Sequence, residues 1–509
     1  MKKSTLYLLP LLAALPLQAL TVETRPTHGV FYAGVEKQAC LQVKLIADAS
    51  DVGKTISAIS FTSGKTTKPA DVTKARLYST KDNVFSLNAA NVDYLATQKQ
   101  EGSISSGKVT FSPNLEITAA GTSYLWLAYD IAATAKGNNK IDAVCTEVKL
   151  DTESIKPTAK LGTHVKKRVY GTVYPFKNRI VPYYRTDWIH GWAATPLNAT
   201  HFKSFTDIIH FGFSFTSGGE VTYQGYNSGP MASSGAATNA EHAALAHEKL
   251  KELRGTAKSR IIAGFGHFHD HTNTHTGPFV QFYQNNTDRN ARKAIAQKTA
   301  KYLLENGYDG IDLDWEYPES DDQWNWMVLM LADLRDELAG SGLSVSIAST
   351  LWYKQPIIAV TDQVDFINTM SYDQVRVDQH SPMSILQQDA QRCSGTLKMP
   401  KSKVVLGLPF YTNIRDGLWA QAGWVNVVNA YPNLAPSVNN AILTVQLDSG
   451  PLTTMHSFNG VNLIKEKCKW VKENGYGGVM IWAYDTDVSL THKMSLGKAM
   501  YSVLKQTRR

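Results

Sequence analysis

Three patterns in the chain predict an N-terminal β-sandwich followed by a (β/α)8 TIM barrel with an insertion after the seventh barrel strand. Short apolar or alternating runs recur between residues 20 and 150 with no helical period. From Arg179 onward, apolar strands alternate with helical stretches. Residues 417–457 are too many for a simple loop after the seventh of those strands. A length of 509 residues suits two or three domains, and 43% apolar with 19% charged residues describes a packed globular chain.

Residues 1–19 read as an export signal. Lys2 and Lys3 precede an apolar run from Leu6 to Leu17 that is too short to span a bilayer, and Leu17-Gln18-Ala19 offers small-residue cleavage chemistry. A secreted or periplasmic protein without a membrane span is expected. The formal charge of +8, two units of it from Lys2 and Lys3, is spread along the chain except for Lys166, Lys167 and Arg168. That pattern lacks the concentrated basic face that nucleic-acid binding requires.

Residues 20–150 form the expected β-sandwich, with strands at Cys40–Ile46, Ile56–Phe61, Ala75–Tyr78, Val109–Phe111 and Tyr124–Tyr129. Residues 151–178, polar and without periodicity, read as a linker. Cys40 and Cys145 fall in one half of the chain, Cys393 and Cys468 in the other; pairing within each half and buried free thiols are both compatible with export.

Residues 179–509 hold eight strands, at Ile180–Tyr184, Ile208–Phe213, Ile261–Gly266, Gly310–Trp315, Val345–Ser349, Val364–Met370, Val404–Phe410 and Gly478–Trp482. Roughly 330 residues accommodate a barrel that typically needs about 250, with insertions. A doubly wound open sheet is the alternative, but no Gly-x-Gly-x-x-Gly follows the first strand. The clearest helix runs from about Asp288 to Asn306, with Gly307 as its stop. The junction Glu305-Asn306-Gly307-Tyr308 is echoed at Glu473-Asn474-Gly475-Tyr476, before the last strand.

The fourth strand carries the chemistry. In Asp309-Gly310-Ile311-Asp312-Leu313-Asp314-Trp315-Glu316, alternation puts Asp312, Asp314 and Glu316 on one face, about 7 Å apart at each step. Burying such a row costs several kcal/mol unless the acids share protons or meet partners, so folding alone gives no reason for it. In a TIM barrel this motif ends at the carboxyl-terminal rim, where active sites lie. Asp309 is off that face by parity and is expected to be structural.

These residues resemble glycoside hydrolase family 18, the chitinase-type enzymes. The signature Asp-x-x-Asp-x-Asp-x-Glu is matched by Asp309, Asp312, Asp314 and Glu316. Further matches are Met370-Ser371-Tyr372-Asp373, Gly407-Leu408-Pro409-Phe410-Tyr411 and Gly477-Gly478-Val479-Met480-Ile481-Trp482-Ala483, all in family order. The resemblance implies retaining hydrolysis of β-1,4 bonds after N-acetylglucosamine with help from the substrate. In it, Glu316 is the acid, Asp314 orients the 2-acetamido group, Asp312 shares a proton with Asp314, and Tyr372 aims the acetamido oxygen. Trp482 is the floor under the sugar, and Asp373, Met370 and Tyr411 line the cleft. Neither cofactor nor metal is implied.

The stretch 121–131, with Ala135-Lys136-Gly137-Asn138-Asn139 and Ile141-Asp142-Ala143, is similar to the accessory domain preceding some bacterial neuraminidases. Two departures from the barrel family concern substrate subsites. The third strand ends Ala263-Gly264-Phe265-Gly266-His267-Phe268 in place of a Ser-x-Gly-Gly type motif. Thr412 and Asn413 stand where many chitinases carry an arginine soon after the tyrosine. His267, His269, His271 and His275 cluster after the third strand, but their alternation suits a rim loop better than a tetrahedral metal cage. Chitin-type chains are the expected partner. The alternatives are an endo-β-N-acetylglucosaminidase acting on the chitobiose core of N-glycans and a glycan-binding lectin that keeps the cleft.

Overall fold

The computed structural model describes residues 20–505 except 28, 88–91, 100–106, 186–196, 217, 224–237, 267–288, 353–354, 374–379, 414–420 and 447–451. The N-terminal segment 1–19 and the histidines at 267, 269, 271 and 275 therefore lie outside the described residues.

The front region has two large sheets and a small three-stranded one. One large sheet runs in the order Thr158–Ala159, Thr21–Pro26, Gln38–Ala47, Gly121–Ile131, Val72–Thr80, Val92–Lys99. The other runs Glu153–Ile155, Val144–Leu150, Thr55–Thr62, Lys108–Phe111, with Leu115–Glu116 also paired to Thr55–Thr62. Strand alternation sends Leu125, Leu127 and Tyr129 inward, to meet Ile56, Ile59, Phe61 and Val148 of the second sheet. The opposite face of the same strand carries Tyr124 and Trp126, which cluster with Tyr78 and Phe85. Trp126 and Phe85 line a small cavity together with Arg335, Asp336 and Gln363 of the barrel. Both faces of this strand are thus covered, which explains its near-continuous apolar sequence.

Residues 151–178, expected as a linker, are instead woven into the fold. Thr158–Ala159 and Glu153–Ile155 extend the two sheets, and Gly171–Val173 pairs with Val30–Phe31 and Lys140–Ile141. Their polarity comes from lying at edges and on the surface, where a periodic apolar face is not needed.

The barrel strands are β1 (Arg179–Arg185), β2 (Asp207–Phe215), β3 (Arg260–Gly266), β4 (Gly310–Asp314), β5 (Ser344–Ser349), β6 (Phe366–Thr369), β7 (Val404–Pro409) and β8 (Gly478–Trp482). Each pairs in parallel with the next, and β8 and β2 both pair with β1, so the sheet closes. The helices used below are α1 (Asn239–Arg254), α2 (Arg289–Asn306), α3 (Asp321–Glu337), α4 (Ile358–Gln363), α5 (Met383–Gln391), α6 (Val461–Glu473) and α7 (Leu496–Val503). At both echoed junctions the glycine sits in the left-handed region, with φ of 74° at Gly307 and 73° at Gly475. The next tyrosine N–H reaches back five residues in each case, Tyr308 to Leu303 (3.0 Å) and Tyr476 to Val471 (3.1 Å). After β7 comes the insertion. Gln421–Gly423, Tyr411–Asn413, Leu452–Ser457 and Asn440–Gln446 form a four-stranded antiparallel sheet.

The two parts meet at the amino-terminal end of the barrel. Tyr32 donates its hydroxyl to the Asp365 carbonyl (2.6 Å) and accepts from Arg179 (2.7 Å). The buried Arg179 guanidinium also pairs with Asp207 (2.9 Å) and lies 3.9 and 4.1 Å from the ring centres of Tyr174 and Phe366. Around this contact, Asn83 and Gln42 bond to Asp336 and Ser86 bonds to Asp362.

All four cysteines are free and buried, so the pairing within each half is not made. Each thiol packs in an apolar core, and burial pushes all four above the usual thiol range. No helix among the described residues is long and apolar enough to cross a membrane.

Candidate active site

Ile311 and Leu313 of β4 face the helices and join the main core. Asp312 and Asp314 point the other way, into a lumen lined by Tyr183, Phe211, Ile262, Val405 and Met480 from other strands. Where those strands fill the lumen with apolar or aromatic side chains, β4 contributes carboxylates.

Asp312 lies deepest. It accepts from the Tyr183 hydroxyl, from Ser346 Oγ (2.5 Å) and from Asn368 Nδ2 (3.1 Å). Burial nevertheless pushes its carboxyl up to about 6, against the pull of those three donors. Asp314 is also buried, and its Oδ1 has no hydrogen-bond partner among the described residues. Burial, then the Glu316 and Asp312 carboxylates, hold Asp314 well above the usual carboxylate range. Two neighbouring buried carboxylates cannot both ionise cheaply, so the pair retains a proton.

Glu316 stands just past the end of β4 and keeps a partly exposed edge. Burial of its carboxyl group and the Asp373 charge push it up to about 7, while a hydrogen bond with Tyr317 opposes the rise. Near neutral pH it therefore still carries a proton, as a general acid requires.

The other expected residues converge on the same rim. Tyr372 is buried, its hydroxyl 3.7 Å from the Met480 sulfur, and burial followed by the Asp314 charge keeps the phenol protonated. Asp373 adopts a left-handed backbone, φ 61°, and its Oδ1 accepts from Tyr411 (2.6 Å) and Asn413 (3.2 Å). Met370 lies in the lumen cluster. Trp482 stays partly buried, edge-on to Tyr183 (5.7 Å) and Phe211 (5.5 Å).

Asp309 is not part of this group. At the opposite end of β4 it accepts from Arg254 (2.6 Å) and from the Ile261 N–H (2.9 Å), tying β4 to α1 and β3.

Several residues of the site escaped the sequence reading: Tyr183, Ser346, Asn368, Tyr317, Asn413 and His380. For Asn368 a signal was present. It shares strand parity with Met370 and Tyr372, so an amide was aimed into the lumen beside the acids. Tyr183 and Ser346 gave none, because their role depends on which strands neighbour β4.

A closed parallel barrel with a column of carboxylates on its fourth strand, topped by a protonated acid, defines a barrel of the glycoside hydrolase class. The model of Glycosyl hydrolases family 18 matches residues 180–487, and the chain belongs to that family.

Among its relatives is Chitinase 1 of Aphanocladium album, 27% identical over 38% of this chain and 55% of that protein. Another is an endochitinase of Brugia malayi, 25% identical over 50% of this chain and 58% of that protein. The chain thus spans little more than half the length of these relatives. The crystal structure of a chitinase from Bacteroides thetaiotaomicron has the same fold, with a TM-score of 0.50 at 20% identity, over 64% of this chain and 96% of that one.

Proposed function

We propose that this protein is an exported hydrolase that cleaves the β-1,4 bond on the reducing side of N-acetylglucosamine in chitin-type chains, with retention of anomeric configuration. The observation that carries this reading is the graded column that begins on β4: Asp312 buried and triply bonded, Asp314 with one oxygen unbonded among the described residues, and Glu316, just past the strand, pushed up to about 7. The chitinase names of the relatives favour the substrate. Export is favoured by the charged and then apolar segment from Lys2 to Ala19.

In the first step Glu316 gives its proton to the glycosidic oxygen as the bond from that oxygen to the anomeric carbon breaks. The carbonyl oxygen of the sugar's own 2-acetamido group forms a bond to the same carbon, giving an oxazolinium ion. Asp314 accepts the acetamido N–H through its free oxygen and offsets the positive charge, while Asp312 holds the shared proton. The Tyr372 hydroxyl aims the acetamido oxygen, and Trp482 forms an apolar floor beneath the ring. In the second step Glu316 takes a proton from water, whose oxygen adds to the anomeric carbon and reopens the ring. Two inversions at one carbon give net retention. Neither step calls for a metal or cofactor.

The test is incubation with chitin oligomers and, separately, with an N-glycoprotein, with products weighed by mass spectrometry and the fresh anomer read by NMR. Shortened oligomers with a β-anomeric end are expected. Release from the glycoprotein alone would move the substrate to the chitobiose core of N-glycans. Binding without cleavage of either would make the protein a lectin.

A further inference from the structure

Lys467 of α6 is wholly buried, and its hydrogen bonds go to neutral oxygens: the Ser381 carbonyl (2.6 Å), Ser381 Oγ (2.8 Å) and Asn459 Oδ1 (2.6 Å). An ammonium has three donors, and all three are used. Burial lowers the group to about 7, so the fold holds this side chain at a cost in solvation.

What Lys467 grips is a two-residue segment beside the site. Ser381 has a left-handed backbone, φ 49°, and passes its own hydroxyl hydrogen to the Ser371 carbonyl (2.6 Å), directly before Tyr372. The His380 carbonyl accepts from Asn459 (2.7 Å), and the His380 N–H donates to Ser457 Oγ.

The pinned segment presents the imidazole of His380. It is buried 4.9 Å from the Tyr411 ring, and its Nε2 lies 3.3 Å from Asp373 Oδ1. Neither ring nitrogen makes a well-formed hydrogen bond among the described residues. That Asp373 oxygen is also the one held by Tyr411 and Asn413, while its Oδ2 receives no hydrogen bond from them. Three side chains from two segments, the strand Tyr411–Asn413 and the pinned His380, therefore converge on one oxygen of a single carboxylate.

We propose that His380, held by Lys467 through Ser381, is a positioning residue for Asp373: it fixes one carboxylate oxygen so that the other faces Glu316 and the cleft. This rests on the hydrolase reading above. The charged and titratable groups around Asp373 are Glu316 and Tyr317 from just past the end of β4, Tyr372 on its own segment, Tyr411 after β7, and His380. After burial, the Asp373 charge is what keeps Glu316 protonated. Releasing Asp373 lets Glu316 ionise at lower pH and misplaces a cleft-facing oxygen.

The test uses the full-length protein and a fluorogenic chito-oligosaccharide. His380→Leu should lower kcat about tenfold with KM within about threefold, and move the alkaline limb of the kcat profile to lower pH. His380→Gln places an amide nitrogen near the position of Nε2 and should restore most of both. Lys467→Met should follow His380→Leu wherever its thermal midpoint shows that it folds. A wild-type rate and profile in His380→Leu would overturn the proposal. So would equal losses in the Leu and Gln variants that track only a lowered thermal midpoint. An inactive wild type would overturn the hydrolase reading first, an outcome separate from either of these.

Discussion

Tyr183 of β1 gives its hydroxyl hydrogen to Asp312 of β4 across the barrel lumen, and the same ring packs edge-on to Trp482 of β8. One side chain thereby joins the base of the acid column to the aromatic expected beneath the sugar. Tyr183→Phe keeps the ring and removes the donor. With two donors left, the ionised form of Asp312 is less favoured, so its carboxyl should rise further above about 6. A fall in kcat of about tenfold is expected, equivalent to about 1.4 kcal/mol in the barrier, with little change in KM. Steady-state kinetics on a chito-oligosaccharide checks this; an unchanged kcat would detach Tyr183 from the reaction.

The pH dependence follows from Glu316. Its folded value of about 7 lies above the ordinary glutamate value of about 4.3. The acid form is needed, so kcat should be level below about 7 and fall as pH rises through it. The sign for stability is the same. The native state keeps a proton that the unfolded chain loses, so the stability this group contributes is full below about 4.3 and lost as pH rises through about 7. Glu316→Gln should fold, lose about 10²–10⁴ in kcat, and show a flatter stability curve over that window. Urea midpoints measured across the window, alongside activity, test both halves; full activity in the variant would remove Glu316 as the acid.

Asp309 belongs to the same signature but should behave oppositely. Asp309→Ala removes the bonds to Arg254 and the Ile261 N–H. A loss of about 1–2 kcal/mol is expected, kept small because the carboxyl is partly exposed, with kcat/KM unchanged. A large loss of kcat at unchanged stability would place Asp309 in the chemistry instead.

At the far end of the barrel, Tyr32→Phe removes the donor to Asp365 and the oxygen that accepts from Arg179. Leaving part of a buried guanidinium unpaired should cost about 1–3 kcal/mol. Catalysis lies at the other end of the strands and should not change. If the variant unfolds at the wild-type urea concentration, the Tyr32 contact does not hold the sandwich to the barrel.

Much of this was legible in the chain because it depends on local periodicity. All eight barrel strands occur where the apolar runs lie, with ends differing by a residue or two, as at Gly310–Asp314 against an expected end at Trp315. Parity alone separated Asp309 from Asp312 and Asp314. The linker expected over residues 151–178 failed for the same reason that the strands succeeded. Edge strands two or three residues long are too short to show a period, and they are held by partners distant in sequence.

By itself, then, the sequence determined the alternation of Ile311 and Leu313 with Asp312 and Asp314, the order of the four motifs, and the family they define. These are properties of neighbouring residues and of a two-residue period. Only the tertiary structure decided what each acid meets. Tyr183, Ser346 and Asn368 reach Asp312 from β1, β5 and β6, and Asn413 and His380 reach Asp373 from segments beyond it in the chain. Closing the barrel brings those strands around one lumen. In that low-dielectric space each donor or neighbouring charge shifts a proton equilibrium that the residue order alone cannot specify.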